Sequence, residues 1–115
     1  MLREKLREIL KGTSAEDLEE PLEKLLRKLV ERYEPLAVIV AGSLAKGRFV
    51  RGFSDIDILV VVDHPVRDEE RFSLASLKDV DVEVTVVPRE ELERAVATGN
   101  EFYLDAVKSG KVIYA

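Results

Sequence analysis

Asp55 and Asp57 stand two apart in the stretch Ser54-Asp55-Ile56-Asp57-Ile58-Leu59-Val60. In a strand that spacing turns both carboxylates to one face, where two adjacent anions repel unless a cation lies between them. Mg2+ meets the requirement: it prefers hard oxygen donors, takes one or two carboxylates, and fills its other positions with water and phosphate oxygens. Upstream lies a turn of small residues, Gly42-Ser43-Leu44-Ala45-Lys46-Gly47. Gly42 lets the backbone approach a phosphate closely, and Ser43 offers a hydroxyl and a backbone N–H at a helix N-terminus. Lys46 either contacts phosphate or points into solvent, and Ser54 either touches substrate or stiffens its loop.

Two metal ions clamping an in-line displacement need a further acidic group. The stretch 80–87 alternates strictly, with Val80, Val82, Val84 and Val86 on one face and Asp81, Glu83, Thr85 and Val87 on the other. Either Asp81 or Glu83 can meet Asp57 from a neighbouring strand. Lys46, Arg48 and Arg51 form a basic strip that either faces a triphosphate or is a solvated helix face. His64, in the turn Asp63-His64-Pro65, reads as an exposed loop residue. Tyr33, Phe49, Phe53, Phe72, Phe102, Tyr103 and Tyr114 are expected to pack, with Phe53 the weakest member of that set.

The elements that must position these groups follow from periodicity and punctuation. Leu2, Leu6, Ile9 and Leu10 predict a helix that Gly12 stops. Thr13 and Ser14 can cap a second helix carrying Leu18, Leu22, Leu25, Leu26 and Leu29 to about Tyr33, with Pro21 splitting or kinking it. The short apolar run 36–41 reads as a strand buried on both faces. Residues 43–50 are expected to form a short helix, 56–62 a second strand, 67–77 a helix, and 80–87 a third strand. Helices at 89–98 and 101–108 and a last strand at 111–114 complete an α/β arrangement, a small mixed β-sheet with helices packed on it.

The length of 115 residues suits one domain. Its divisions would be N-terminal helices at 2–33, a core at 36–88, and C-terminal helices with a short strand at 89–115. A composition 46% hydrophobic and 36% charged can build a core. With no Cys, thiol nucleophiles, thiolate metal sites and disulfides are excluded together. No signal-like or membrane-spanning run is evident, so a cytoplasmic location is the default expectation and no membrane partner is expected. The net charge of −5 argues against free nucleic acid as a partner.

GSLAKG followed by SDIDILVVV resembles the signature of the DNA polymerase beta-like nucleotidyltransferase superfamily, particularly its minimal single-domain members, over about residues 36–88. The resemblance implies that fold, a nucleoside triphosphate held by Gly42 and Ser43, and Mg2+, usually two ions, on Asp55 and Asp57. It favours Glu83 as the third carboxylate, because that acid commonly lies a few residues before a start such as Pro88-Arg89-Glu90-Glu91-Leu92, with Asp81 as the alternative. Lys46 stands where the family often has Arg. On this reading the catalytic and metal-binding residues are Asp55, Asp57 and Glu83, and the nucleotide contacts are Gly42, Ser43, Lys46 and Ser54. Minimal members often pair with a small HEPN-domain protein in a toxin–antitoxin system and add AMP to it. AMP transfer from ATP to a hydroxyl of such a partner is therefore the favoured expectation, and homo-oligomerisation stays open. The rival expectations are a non-catalytic antitoxin-like binding subunit of the same fold, and a small-molecule nucleotidyltransferase of the aminoglycoside type.

Overall fold

Val-rich strands stack into a five-stranded mixed sheet in the computed structural model, which describes residues 2–115. The strands are β1 (Ala37–Ala41), β2 (Ile56–Val62), β3 (Phe72–Leu77), β4 (Val80–Pro88) and β5 (Lys111–Tyr114), in the spatial order β3-β4-β2-β1-β5. Only β2 and β4 run parallel; every other neighbouring pair is antiparallel. The helices are α1 (Leu2–Leu10), α2 (Glu19–Tyr33), α3 (Gly42–Ala45), α4 (Arg89–Ala97) and α5 (Glu101–Ser109). This is the mixed α/β arrangement expected from the sequence.

Strand alternation assigns the two faces. Val38, Val40, Ile56, Ile58, Val60, Val82, Val84 and Val86 pack with Leu6, Leu10, Leu22 and Leu26 of α1 and α2 in the main core. Burying each such side chain contributes roughly 1.5–3 kcal/mol. Ile39, Leu59, Val61 and Val87 face the other way and pack with Leu92 of α4 and Ala106 of α5. Pro21 leaves α2 unbroken because it lies in the first turn, where its missing N–H has no partner to lose. A 3-10 turn at Glu16–Leu18 leads into that helix.

Two expectations need correction. The helix expected at 43–50 is only the single turn Gly42–Ala45, because Gly47 at φ 72° turns the chain out of it. Residues 67–77, expected to be helical, form instead a 3-10 turn at Asp68–Glu70 and then β3, an edge strand joined to β4 by a tight hairpin at Lys78 and Asp79. Ala75 and Leu77 turn inward against the core while Phe72 and Leu74 face out. This is a period of two, which the flanking charged residues mask.

Arg51 ties three loops together. Its guanidinium donates to Asp17 Oδ1 at 2.6 Å, to Asp79 Oδ1 at 2.6 Å and to the Ser14 carbonyl at 2.7 Å. It is therefore committed to structure and leaves the basic strip. Hydrogen bonds from Arg51, then Lys78, hold the Asp17 carboxyl well below the usual carboxylate range, and Arg51 does the same for Asp79.

Leu22→Ala should lower stability by about 2–5 kcal/mol, read as a reduced urea midpoint, because its side chain has no exposed surface to relax into. The Arg51 network has a pH signature. Carboxylates depressed in the folded state contribute fully above their unfolded pKa of about 4 and lose that contribution as pH falls through the folded value. Arg51→Ala should accordingly lower the thermal midpoint at pH 7 by several degrees, and the gap to the parent chain should narrow steadily below pH 4.

Candidate active site

The antiparallel register of β1 and β2 places Ala41 opposite Asp57, so the turn that follows β1 is folded against the second acid of the Asp-x-Asp strand. Gly42 sits at φ 67°, a left-handed conformation that favours glycine. A Cβ built there would lie 2.2 Å from Asp57 Oδ2. Conformation and space thus independently require glycine, and the two halves of the sequence motif are in contact. Ser43, also in the single turn α3, accepts the Arg48 N–H at its carbonyl, which closes the turn.

The parallel register of β2 and β4 places Asp57 opposite Glu83. The Glu83 and Asp57 side chains share a face of adjacent strands, and the charges of Asp55 and Asp57 reach the Glu83 carboxyl. Asp81 is exposed and accepts a hydrogen bond from the Ser76 hydroxyl at 3.2 Å. Of the two candidate third acids, Glu83 is the one brought to the Asp pair.

Crowding raises the proton affinity of these acids. Burial first, and then the charge of Asp55, push the Asp57 carboxyl up. Burial, a hydrogen bond with Asp55 and the charge of Asp57 do the same to Glu83. At an effective dielectric of about 20, two like charges about 4 Å apart cost about 4 kcal/mol, so the cluster is electrostatically incomplete with protein groups alone. Its donors are all hard oxygens, the set that suits Mg2+. Among the described residues, no three His, Cys, Asp or Glu side chains stand closed in ligating geometry. That is compatible with an ion that takes one or two protein carboxylates and completes its shell from water and phosphate.

The remaining expected residues are placed as follows. Lys46 Nζ lies 2.9 Å from Asp105 Oδ1 of α5, so its ammonium is neither in open solvent nor free for phosphate alone. Asp105 is the group the sequence reading missed; its charge reaches Asp57, yet nothing in its helical context marks it out. Ser54 Oγ accepts the Val50 N–H at 3.0 Å and so stiffens its own loop. His64 stands apart from the acids and contacts the carbonyls of Tyr33 and Pro65, which favour its protonated form. Tyr33 and Phe49 are buried as expected, but Phe53, Phe72 and Phe102 are exposed, Phe53 to 90%.

A cavity of about 380 Å3 lies at the opposite end of the β2–β4 pair, lined by His64, Arg71, Arg89, Glu91 and Arg94 among others. Two of its cations are already paired, Arg71 with Glu91 and Arg89 with Asp63. The convergent acids are elsewhere.

Gly42→Ala should fold, since the strain is confined to one turn, but should displace the Asp57 carboxylate. The affinity for a nucleoside triphosphate, measured by calorimetry with Mg2+ in the buffer, should fall at least about tenfold.

No curated protein matches the chain in a sequence search. The family description "nucleotidyltransferase domain" matches residues 22–113, which contain the whole sheet apart from the last residue of β5, together with Asp55, Asp57, Asp81, Glu83 and Asp105. With that match extending over most of its length, the chain belongs to the nucleotidyltransferase domain family.

Proposed function

We propose that the chain binds Mg2+ and ATP and transfers AMP to a hydroxyl of a partner protein, a HEPN-domain protein being the favoured candidate. The observation that carries this reading is the position of Asp57, which touches the Gly42 turn on one side and Glu83 on the other. A phosphate-binding turn and a carboxylate cluster so joined can hold one triphosphate by both its phosphates and its charge.

In this reading the backbone at Gly42 and the Ser43 hydroxyl and N–H hold the β- and γ-phosphates. Asp55 and Asp57 would hold the metal, with Glu83 standing opposite Asp57 as the third acid. Mg2+ bound there supplies charge neutralisation at the phosphates and polarises the bond to be broken. Glu83, opposite Asp57 and on the side of it away from the Gly42 turn, is the group placed to take the proton of the attacking hydroxyl. Lys46, anchored by Asp105, offers its remaining N–H groups at the rim of the turn. Most of the rate enhancement then comes from positioning and preorganised charge.

No helix among the described residues is long and apolar enough to cross a membrane, which leaves a protein partner in an aqueous compartment consistent with the fold.

Asp57→Asn tests the reading. Pyrophosphate release from labelled ATP should fall at least about a hundredfold. The metal-free variant should melt no lower than the parent at neutral pH. An acid whose folded pKa is raised opposes folding once pH exceeds its unfolded value, and Asn removes that charge. Unchanged control of a partner by Asp57→Asn would instead identify a binding subunit that does no chemistry.

A further inference from the structure

One row of side chains crosses the sheet on the face that α4 and α5 partly cover. Ala41 is opposite Asp57, Asp57 is opposite Glu83, and Glu83 is opposite Leu74. Paired residues share a face, so the row runs from the Gly42 turn, through the two acids, to the apolar edge strand β3. Leu74 is two strand spacings from Asp57, about 10 Å.

In an in-line displacement the attacking and leaving oxygens lie on opposite sides of phosphorus. If the pyrophosphate leaves at the Gly42 end, the attacking hydroxyl arrives from the Leu74 end. That end carries exposed apolar side chains, Leu74 at 65% and Phe72 at 53%. They share a face with Thr85, Glu83 and Asp81. Helices α4 and α5 pack over Ile39, Leu59, Val61 and Val87 and leave this sector uncovered. An apolar, uncovered edge strand is a feature that proteins ordinarily blunt.

We propose that Phe72 and Leu74 form the acceptor platform of this enzyme, and that its occupant is a polypeptide segment whose hydroxyl residue is flanked by apolar and basic side chains. The inference rests on the nucleotidyl-transfer reading above and adds where on the sheet the protein acceptor docks and which side chains flank its hydroxyl. Small polar acceptors need concave, walled sites, whereas this sector of the sheet face is uncovered. A nucleic-acid 3′-hydroxyl would bring its own phosphates against the exposed Asp81, which lies outside the metal-holding pair, in a chain of net charge −5. Basic residues on a peptide would meet Asp81 favourably, and the outer edge of β3 can hold an extended segment by main-chain hydrogen bonds. In the transfer, the hydroxyl oxygen bonds to the α-phosphorus of the triphosphate and the bond to the β-phosphate oxygen breaks. Pyrophosphate leaves, and the hydroxyl proton passes to a carboxylate and then to solvent.

The test uses synthetic peptides with a single Tyr, Ser or Thr, flanked either by Leu, Phe and Lys or by Ser and Glu. Each is incubated with α-labelled ATP and Mg2+, with the parent chain, with the Phe72→Ser/Leu74→Ser double variant, or with Leu74→Val. Calorimetry with Mg2+ and a non-hydrolysable ATP analogue runs alongside. The parent should label the apolar, basic-flanked set preferentially. The double variant should bind the nucleotide within about twofold of the parent yet label those peptides at least tenfold more slowly, chiefly through peptide KM, and Leu74→Val should retain most of the rate. Equal labelling by parent and double variant overturns the inference, as do indifference to flanking residues and preferential labelling of an RNA 3′-hydroxyl or of glycerol. Nucleotide binding without any peptide labelling overturns this inference alone. Failure of the parent to bind the nucleotide overturns both readings.

Discussion

Everything at this site depends on the absence of one methyl group. Because Gly42 has no Cβ, the Asp57 carboxylate can rest against the turn after β1, with a separation that no other residue would permit. That contact makes one site of two motifs separated in the chain. It holds only because β1 and β2 pair antiparallel with Ala41 opposite Asp57, so the register of the central strands carries the chemistry. The register is in turn secured by burial: Val38, Val40, Ile58 and Val60 fill one side of the sheet, while Ile39, Leu59 and Val61 fill the other. A slip of one residue would exchange the two sets and bring Asp57 into the core.

The loop that delivers Asp55 to the cluster puts one side chain, Phe49, into the core. It is held by Arg51, whose guanidinium reaches Asp17 before α2 and Asp79 at the β3–β4 turn. A planar, permanently charged guanidinium offers five N–H donors in a rigid fork, enough to join two carboxylates and a carbonyl at once. The exposed Phe53 on this loop is thus displayed from a fixed turn.

Electrostatics divides the molecule into two parts. At the periphery, acids and bases are matched: Glu19 with Arg3 and Arg7, Glu23 with Arg27, Arg71 with Glu91. At the site, Asp55, Asp57 and Glu83 are matched to nothing of opposite sign that the described residues supply at hydrogen-bonding distance, and their mutual repulsion is retained. Such local violation of the rules that govern the rest of a chain is the usual mark of a functional site.

Much of this was legible before folding. Gly42-Ser43, Asp55 and Asp57 could be picked out because a strand has period two and a tight turn needs glycine, both local rules. The buried runs 36–41 and 56–62 showed themselves by continuous apolar β-branched residues. Strand β3 did not, because a half-exposed edge strand carries Phe72 and Leu74 outward and Ala75 and Leu77 inward, a pattern that blurs into helical spacing. The resemblance favoured Glu83 over Asp81, but the physical placement of Glu83 opposite Asp57 came from the parallel register of β4, and neither Asp105 beside Lys46 nor Asp17 and Asp79 around Arg51 could be anticipated. Residue type and spacing determined what chemistry the chain can hold. Only the tertiary structure decided which distant groups meet, because long-range register and ion pairing depend on how elements stack, and no local periodicity encodes that.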